Sequence, residues 1–458
     1  MDFKALFKPK NMAVIGVSLQ NDLHPANVIF RKNHLRYPVN VFAVNPKGGT
    51  LQGEKVYKSI LEVPEKLDLV VIAARAEQVP TILAECIEAG VGGAAIISGG
   101  FAEVGKEDLQ DTIATMAKES DFPFIGPNCL GIYVPLVLDT FFLPTERMVR
   151  PDPGNVAVVS QSGGILVDNM VKFKEEGVGL SLGVSIGNKA IIRELDLIRY
   201  LQHDEATKVI AFYIEGFLNG EGRRFIEAAS QSKKPVVVIK SGKTSSGSRA
   251  VMSHTASLAG RYDIFSSAMA QEGIVEAKNE LELISFCESL SCYQTPIKKG
   301  IGIITGSGGH GAMAVDVCST HGFDVPALRP EEQDRIRKDL SKSIRNIASL
   351  TNPIDLTGSA VDEDFVSAAK HLSTISEIDC VIILLLPYLP GITSDLGARL
   401  SNIYQRAKKP LIAYVPHVEK FRMLIEGFEL NGVPVSHSIE AAVLMAEALR
   451  KLRPASWA

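Results

Sequence analysis

Hydrophobic positions along the chain gather into short β-branched runs, apolar on consecutive rather than alternate positions, and each run gives way to a stretch with helical spacing. MAVIGVS from Met12, VFAVNP from Val41, LDLVVIAA from Leu67, GGAAIISGG from Gly92 and FPFIGPN from Phe122 open the series. Strands apolar on both faces belong in parallel sheets covered by helices, so residues 1–130 predict a Rossmann-like domain. A second series runs through GNVAVVS from Gly154, GLSLGVSIGN from Gly179, VIAFYIEGF from Val209 and PVVVIKSG from Pro235. Leu166, Met170 and Phe173 fall at i, i+4 and i+7 on one helix face, and residues 150–292 read as a second α/β domain. GIGIITG, NPIDLTG, DCVIILLLP and KPLIAYVP place a third, flavodoxin-like α/β domain at residues 298–458. Residues 131–154 lack periodicity and end in a Pro/Gly cluster, which predicts a linker. Lys240–Gly260, built mostly from Gly, Ser, Thr and Ala, predicts a mobile loop.

Composition narrows the class. A chain of 458 residues with 46% hydrophobic and 22% charged positions holds a sizeable core and about three domains. A net charge of -4 with both signs interspersed offers no track for nucleic acid or anionic lipid, so any anion site is local. The six cysteines lack CxxC spacing, which argues against a zinc site or a disulfide framework and for a reducing cytoplasm. The first residues, MDFKALFKPKN, have no long apolar core, and the most apolar run, from Val381, is broken by prolines short of a membrane span.

Candidate chemistry sits at the strand ends. In a parallel sheet ligands lie beyond the carboxyl ends of the strands, where Gly16 to Ser18, Asn45 to Gly49, Ser98 to Gly100 and Gly126 to Gly131 fall. Their amides suit a diphosphate, although the same glycines would serve plain βα turns. No GxxG follows Gly16, and the second strand ends in Asn45-Pro46-Lys47 rather than an acid, which weighs against NAD. SQSGG from Ser160 opens a helix right after a buried strand, either an anion site or an N-cap alone. Thr305 to Gly311 forms a similar glycine-rich turn. Glu215 ends one strand and the segment carrying His254 leaves the next, so both belong to one sheet edge.

Taken together, IGVS at Ile15, NPKGG at Asn45, ISGGF at Ile97, GPNCLG at Gly126, SQSGG at Ser160, SIGN at Ser185, IEGF at Ile214, SHTASLAG at Ser253 and NPIDLTG at Asn352 form an ordered set. With these motifs the first two domains resemble the α subunit of succinyl-CoA synthetase. The whole chain resembles the α subunit of the ADP-forming acetyl-CoA synthetases, which are acid-thiol ligases. The resemblance implies a CoA-binding first domain with Gly16, Ser18, Lys47, Ser98, Gly99 and Asn128 on the CoA side. It implies phosphate contacts at Ser160, Ser162, Gly163, Gly164, Gly308 and Gly309. His254 is then a phosphohistidine and Glu215 its carboxylate partner. CoA, acetyl-CoA and phosphate would be substrates here, with ADP, ATP and Mg²⁺ on an ATP-grasp β subunit in an α2β2 assembly, and no metal site on this chain.

The chemistry of the residue types agrees with this. A neutral imidazole is the competent nucleophile toward an acyl phosphate, and a carboxylate on its other nitrogen fixes the tautomer. Ala256, Lys243 and His310 depart from the family's usual residues; the first two keep the character of their positions, and His310 reads as a loop residue. Two other readings stand beside this one: a CoA or dinucleotide sensor that has lost the transfer reaction, and a succinyl- or citrate-type CoA ligase subunit.

Overall fold

The computed structural model describes residues 3–218, 220–255 and 261–452, with the backbone alone for residues 252–255. The chain divides into two compact units, one up to Lys278 and one from Asn279.

In the first unit β1 (Asn11–Ile15) and β2 (Asn40–Val44) run parallel, and β3 (Gly49–Leu51) forms a hairpin with β4 (Glu54–Tyr57). β5 (Leu69–Ile72), β6 (Gly93–Ile96) and β7 (Phe124–Ile125) continue on the far side of β1, giving the order β3-β4-β2-β1-β5-β6-β7. Met12 to Ile15 and all of β5 and β6 are buried, as runs apolar on both faces require. Each fully buried Val, Leu or Ile side chain there contributes roughly 1.5–3 kcal/mol. Strand order reverses at β1, so the crevice of this Rossmann-like sheet opens beyond the carboxyl ends of β1 and β5.

β8 (Gly131–Val134) and β9 (Leu138–Asp139) belong to a second sheet with β10 (Pro153–Ser160), β11 (Leu180–Ser185), β12 (Val209–Ile214), β13 (Val236–Lys240) and β14 (Val275–Ala277). Its order is β14-β13-β12-β10-β11-β8-β9. The stretch expected to be a linker is therefore an antiparallel edge, with β8 paired to β11. Its strands are too short to show a period. The two sheets share one apolar core.

They also meet backbone to backbone. Gly187 has φ +54°, and a Cβ there would stand 2.3 Å from the Asn128 carbonyl oxygen and 2.4 Å from that of Pro127. Only glycine permits that approach. Residues Ser245–Thr255, expected as a loop, are helical. The Thr244 hydroxyl accepts the Gly247 N–H at 3.0 Å, a cap that starts a helix in spite of the weak helix formers within it.

In the second unit β15 (Ile301–Thr305), β16 (Ile354–Asp355), β17 (Cys380–Leu384), β18 (Leu411–Tyr414) and β19 (Val435–Ser436) form a parallel sheet in the order β16-β15-β17-β18-β19, the flavodoxin arrangement. The helix Glu280–Cys292, assigned from sequence to the second domain, packs here against the helix Ile439–Lys451. Leu283 through Leu290 are buried without interruption, Ser289 Oγ donates to the Met445 carbonyl at 2.9 Å, and the Val435 N–H donates to Glu288 at 2.8 Å. A helix buried on every face joins the unit that surrounds it. No helix among the described residues is long and apolar enough to cross a membrane.

Candidate active site

Beyond the carboxyl end of β1 lies a cavity of about 290 Å³ lined by Gly16, Ser18, His24, Asn45 and Lys47 among others. Gly16 has φ +94°, and a Cβ on it would overlap the Ala73 carbonyl after β5 at 2.3 Å, so the turn hugs the crevice floor. Asn27 holds Ser18 by two hydrogen bonds of 2.7 Å, donating to its carbonyl and accepting its N–H. Asn45 Nδ2 donates to the Val17 carbonyl at 2.6 Å, and its Oδ1 accepts the Lys47 N–H at 2.9 Å, which fixes the backbone that presents Lys47. Gly16, Ser18 and Lys47 therefore share one concave site.

Ser98, Gly99 and Asn128 sit apart from that cavity, at the ends of β6 and β7. The Asn128 N–H donates to the Ser98 carbonyl at 2.8 Å. Glu103 accepts the N–H groups of Gly100 and Phe101, and the Asn188 side chain donates to it at 2.6 Å. Burial raises the Glu103 carboxyl, but the hydrogen bonds from Asn188 and from the backbone prevail and hold it below the usual carboxylate range. Asn188 also donates to Gln110 at 2.9 Å, so the loop after β11 is tied to the loop after β6.

The turn after β10 lies on the same junction. Gly163 has so little room that a Cβ would come within 3.0 Å of Leu130 Cβ, and the Leu130 N–H donates to Ser185 Oγ at 3.1 Å. Ser160 Oγ donates to the Ser162 carbonyl at 2.6 Å and accepts the Ser162 N–H at 3.2 Å. Ser162 then caps the helix Gly163–Glu175 by accepting the Ile165 N–H. The cap leaves the first amides of that helix, Gly163 and Gly164, at the positive end of its dipole. Gly164 has only ordinary contacts around a virtual Cβ.

Glu215, 4% exposed, follows β12 next to this turn. Its peptide and that of Gly216 are held by side chains. Gln161 Oε1 accepts the N–H groups of Glu215 and Gly216, the latter at 3.1 Å, and Gln161 Nε2 donates to the Gly216 carbonyl at 2.8 Å. Lys240 Nζ donates to the Glu215 carbonyl at 2.9 Å, and Lys189 Nζ to that of Gly216. Glu194 faces this cluster, pairing with Lys189 at 2.6 Å and accepting from Gln161. Burial pushes the Lys240 ammonium below its ordinary range, with Glu215 opposing the shift. Burial likewise raises the Tyr213 phenol, which lies against the Glu215 carboxylate.

The helix Ser245–Thr255 leaves the neighbouring strand β13 and lies against the turn Ala102–Val104 beside Glu103. Its backbone carries His254, whose side chain lies outside the described residues. In the second unit the turn after β15 leads into the helix Gly308–Thr320. Thr305 Oγ donates to the Ser307 carbonyl at 3.3 Å and accepts the Ser307 N–H at 3.1 Å, while Ser307 Oγ meets His310 Nδ1 at 3.1 Å. Gly309 faces open space, whereas a Cβ on Gly308 would lie 2.9 Å from an Asp355 carboxylate oxygen. His310 thus spends one ring nitrogen on its own turn.

Sequence reasoning missed Gln161, Lys189, Glu194 and Lys240 around Glu215, and His24, whose Nδ1 accepts the Ala26 N–H beside Lys47. Gln161 stands inside SQSGG, whose anion-site signal lies in its serines and glycines, and Lys240 falls at the start of the stretch expected as a loop. Lys189 and Glu194 pair only five positions apart, but their contacts with Gly216 and Gln161 are distant in sequence.

Residues 10–135 match the CoA binding domain family, and residues 153–290 match the succinyl-CoA ligase like flavodoxin domain. The chain is 33% identical, over 98% of its own length and 98% of the relative's, to acetate-CoA ligase (ADP-forming) I subunit alpha of Pyrococcus furiosus. It is 38% identical over 83% of its length to acetate-CoA ligase (ADP-forming) I of Archaeoglobus fulgidus, of which it spans about half, 54%. Among solved structures it superposes with a TM-score of 0.86 and 30% identity on the dinucleotide forming acetyl-coenzyme A synthetase 1 of Ca. Korarchaeum cryptofilum in complex with phosphate and ADP, over 98% of this chain and 96% of that one.

Proposed function

Because the chain belongs to the family of the ADP-forming acetate-CoA ligases, we propose that it is the α subunit of such an enzyme, interconverting acyl-CoA, ADP and phosphate with the acid, CoA and ATP. The observation that carries the reading is the junction of the first two sheets. Loops of the CoA-binding domain, the Ser160 turn, the Glu215 strand end and the start of the His254 helix all converge on one sheet edge.

Three reversible steps follow. A phosphate oxygen attacks the thioester carbonyl, the C–S bond breaks, and CoA leaves as the thiol while acyl phosphate remains. A nitrogen of His254 then attacks phosphorus and the acid departs with the bridging oxygen. Finally the N–P bond is exchanged for a bond to an ADP oxygen, giving ATP. Amides at the Ser162–Gly164 helix start stabilise the charge on the transferring phosphoryl group, and Glu215 supports the imidazolium that forms on His254. Gly16, Ser18 and Lys47 hold the CoA phosphates, with Ser98, Gly99 and Asn128 toward the reacting end. In the second unit Gly308 and Gly309 offer further phosphate contacts.

No group of three or more His, Cys, Asp or Glu that could hold a metal ion is found among the described residues. ADP and Mg²⁺ belong in this reading to an ATP-grasp β subunit in an α2β2 assembly. The free thiols, most of them buried, suit a cytoplasmic enzyme.

Labelled phosphate and acetyl-CoA added to the chain with its partner subunit test the proposal. The expected result is an acid-labile protein label that His254→Ala abolishes. An acid-stable label, or one retained by that variant, overturns it.

A further inference from the structure

Every backbone hydrogen-bonding group of Glu215 and Gly216 is taken by a side chain from elsewhere in the fold. Gln161 accepts both N–H groups and donates to the Gly216 carbonyl; Lys240 takes the Glu215 carbonyl and Lys189 the Gly216 carbonyl. Gln161, Lys189 and Lys240 are 6%, 4% and 3% exposed. Two buried ammonium groups face two buried carboxylates, Glu194 and Glu215, so the charges balance within the cluster.

Sheet pairing needs none of this, because β12 ends at Ile214, and burying two lysines is unfavourable unless each is paired and hydrogen-bonded. A strand end that only had to turn would be capped by solvent or local backbone. Here the residue that grips it, Gln161, lies between the two serines of the anion-capable turn. Gln161 also anchors its own N–H on the Tyr213 carbonyl at 3.2 Å, which locks turn and strand end into one piece.

We infer that Gln161, seated on the Lys189–Glu194 pair, is a positioning residue that sets the distance and angle between the Glu215 carboxylate and the phosphate-side turn, and that Lys189 and Lys240 complete the clamp. The inference rests on the proposed roles of Glu215 and His254. The Gln161 N–H and side-chain amide are spent on Tyr213, Glu215, Gly216 and Glu194, so Gln161 acts through the peptide that carries Glu215. Its effect on catalysis therefore passes through that carboxylate, and this separates it from a merely structural role.

The test is a double-mutant cycle on single-turnover phosphoryl labelling from acetyl-CoA and phosphate, using the chain with its partner subunit. Gln161→Ala alone is expected to slow labelling at least tenfold, with CoA affinity within twofold of the parent. In a Glu215→Gln background the same substitution is expected to slow it less than twofold further. Lys189→Arg, which keeps charge and donor, should recover most of what Lys189→Met loses. Equal slowing in both backgrounds, or labelling unaffected by Gln161→Ala, overturns the inference. Should Gln161→Ala fail to fold, the Lys189→Met and Glu215→Gln pair gives the same cycle with the same two outcomes. Loss of the label in His254→Ala is scored separately, so additivity in the Gln161–Glu215 cycle would refute the clamp while leaving the phosphohistidine intact.

Discussion

The turns after β10 and β15 are written in nearly the same residues, SQSGG and TGSGG, and fold almost alike. In each, the first hydroxyl bridges the carbonyl and the N–H of the serine two positions on, and two glycines open the following helix. They differ in the residue between. Gln161 reaches out to grip the Glu215 strand end, whereas at Gly306 even a Cβ would press on Leu389 Cδ1 at 2.7 Å, so that turn is backed by apolar side chains. The serines differ as well: Ser162 caps its helix, while Ser307 engages His310. In the first turn the middle residue grips the strand end that carries Glu215; in the second, Gly306 has no side chain to do so. An amide cradle is thus a generic product of strand, glycine and helix, and chemistry is added by what is attached behind it.

Substitutions can break that contrast. Glu215→Gln should have the largest effect, lowering turnover by about a hundredfold through loss of the carboxylate proposed to support the His254 imidazolium, as steady-state ATP formation from acetyl-CoA would show. A negligible change would make the two turns equivalent. Gly306→Gln, which gives the second turn the side chain of the first, should destabilise that unit by about 1–3 kcal/mol through overpacking on Leu389, read from denaturant midpoints.

A matched pair sharpens the comparison further. Gly164→Ala and Gly309→Ala both have room for a methyl, so each should change stability by at most ~1 kcal/mol. If both turns cradle phosphate, each should raise the KM for phosphate several-fold, Gly164→Ala more than Gly309→Ala; an unchanged KM for one would leave that turn with no part in holding phosphate. The smallest effect is expected for His310→Asn, which keeps a polar partner for Ser307: less than a threefold change in kcat, measured in the same assay.

How much of this was legible depended on distance along the chain. Buried parallel strands announce themselves through consecutive apolar residues, and the glycines at their ends were found because turn chemistry is local. The edge formed by β8 and β9 was read as a linker, since its strands complete their pattern only by pairing with β11. Ser245–Thr255 was read as a loop because Ser, Gly and Thr are weak helix formers; the Thr244 cap and the surrounding fold override that preference. The grip on Glu215 stayed hidden for a different reason. Gln161 lies 54 positions from its partner and Lys189 lies 27 from Gly216, so only the fold reveals the contact.

The approach of Gly187 to Asn128 has a consequence for how this protein could be recombined. Two carbonyl oxygens of one domain fill the place where a side chain of the other would have to stand. A graft that exchanged the CoA-binding sheet alone would therefore have to reproduce a fit between main chains, which no choice of surface residues can supply. The smallest transplantable module is the pair of sheets with its seam intact, and chimaeras cut elsewhere in the first unit should fail to assemble.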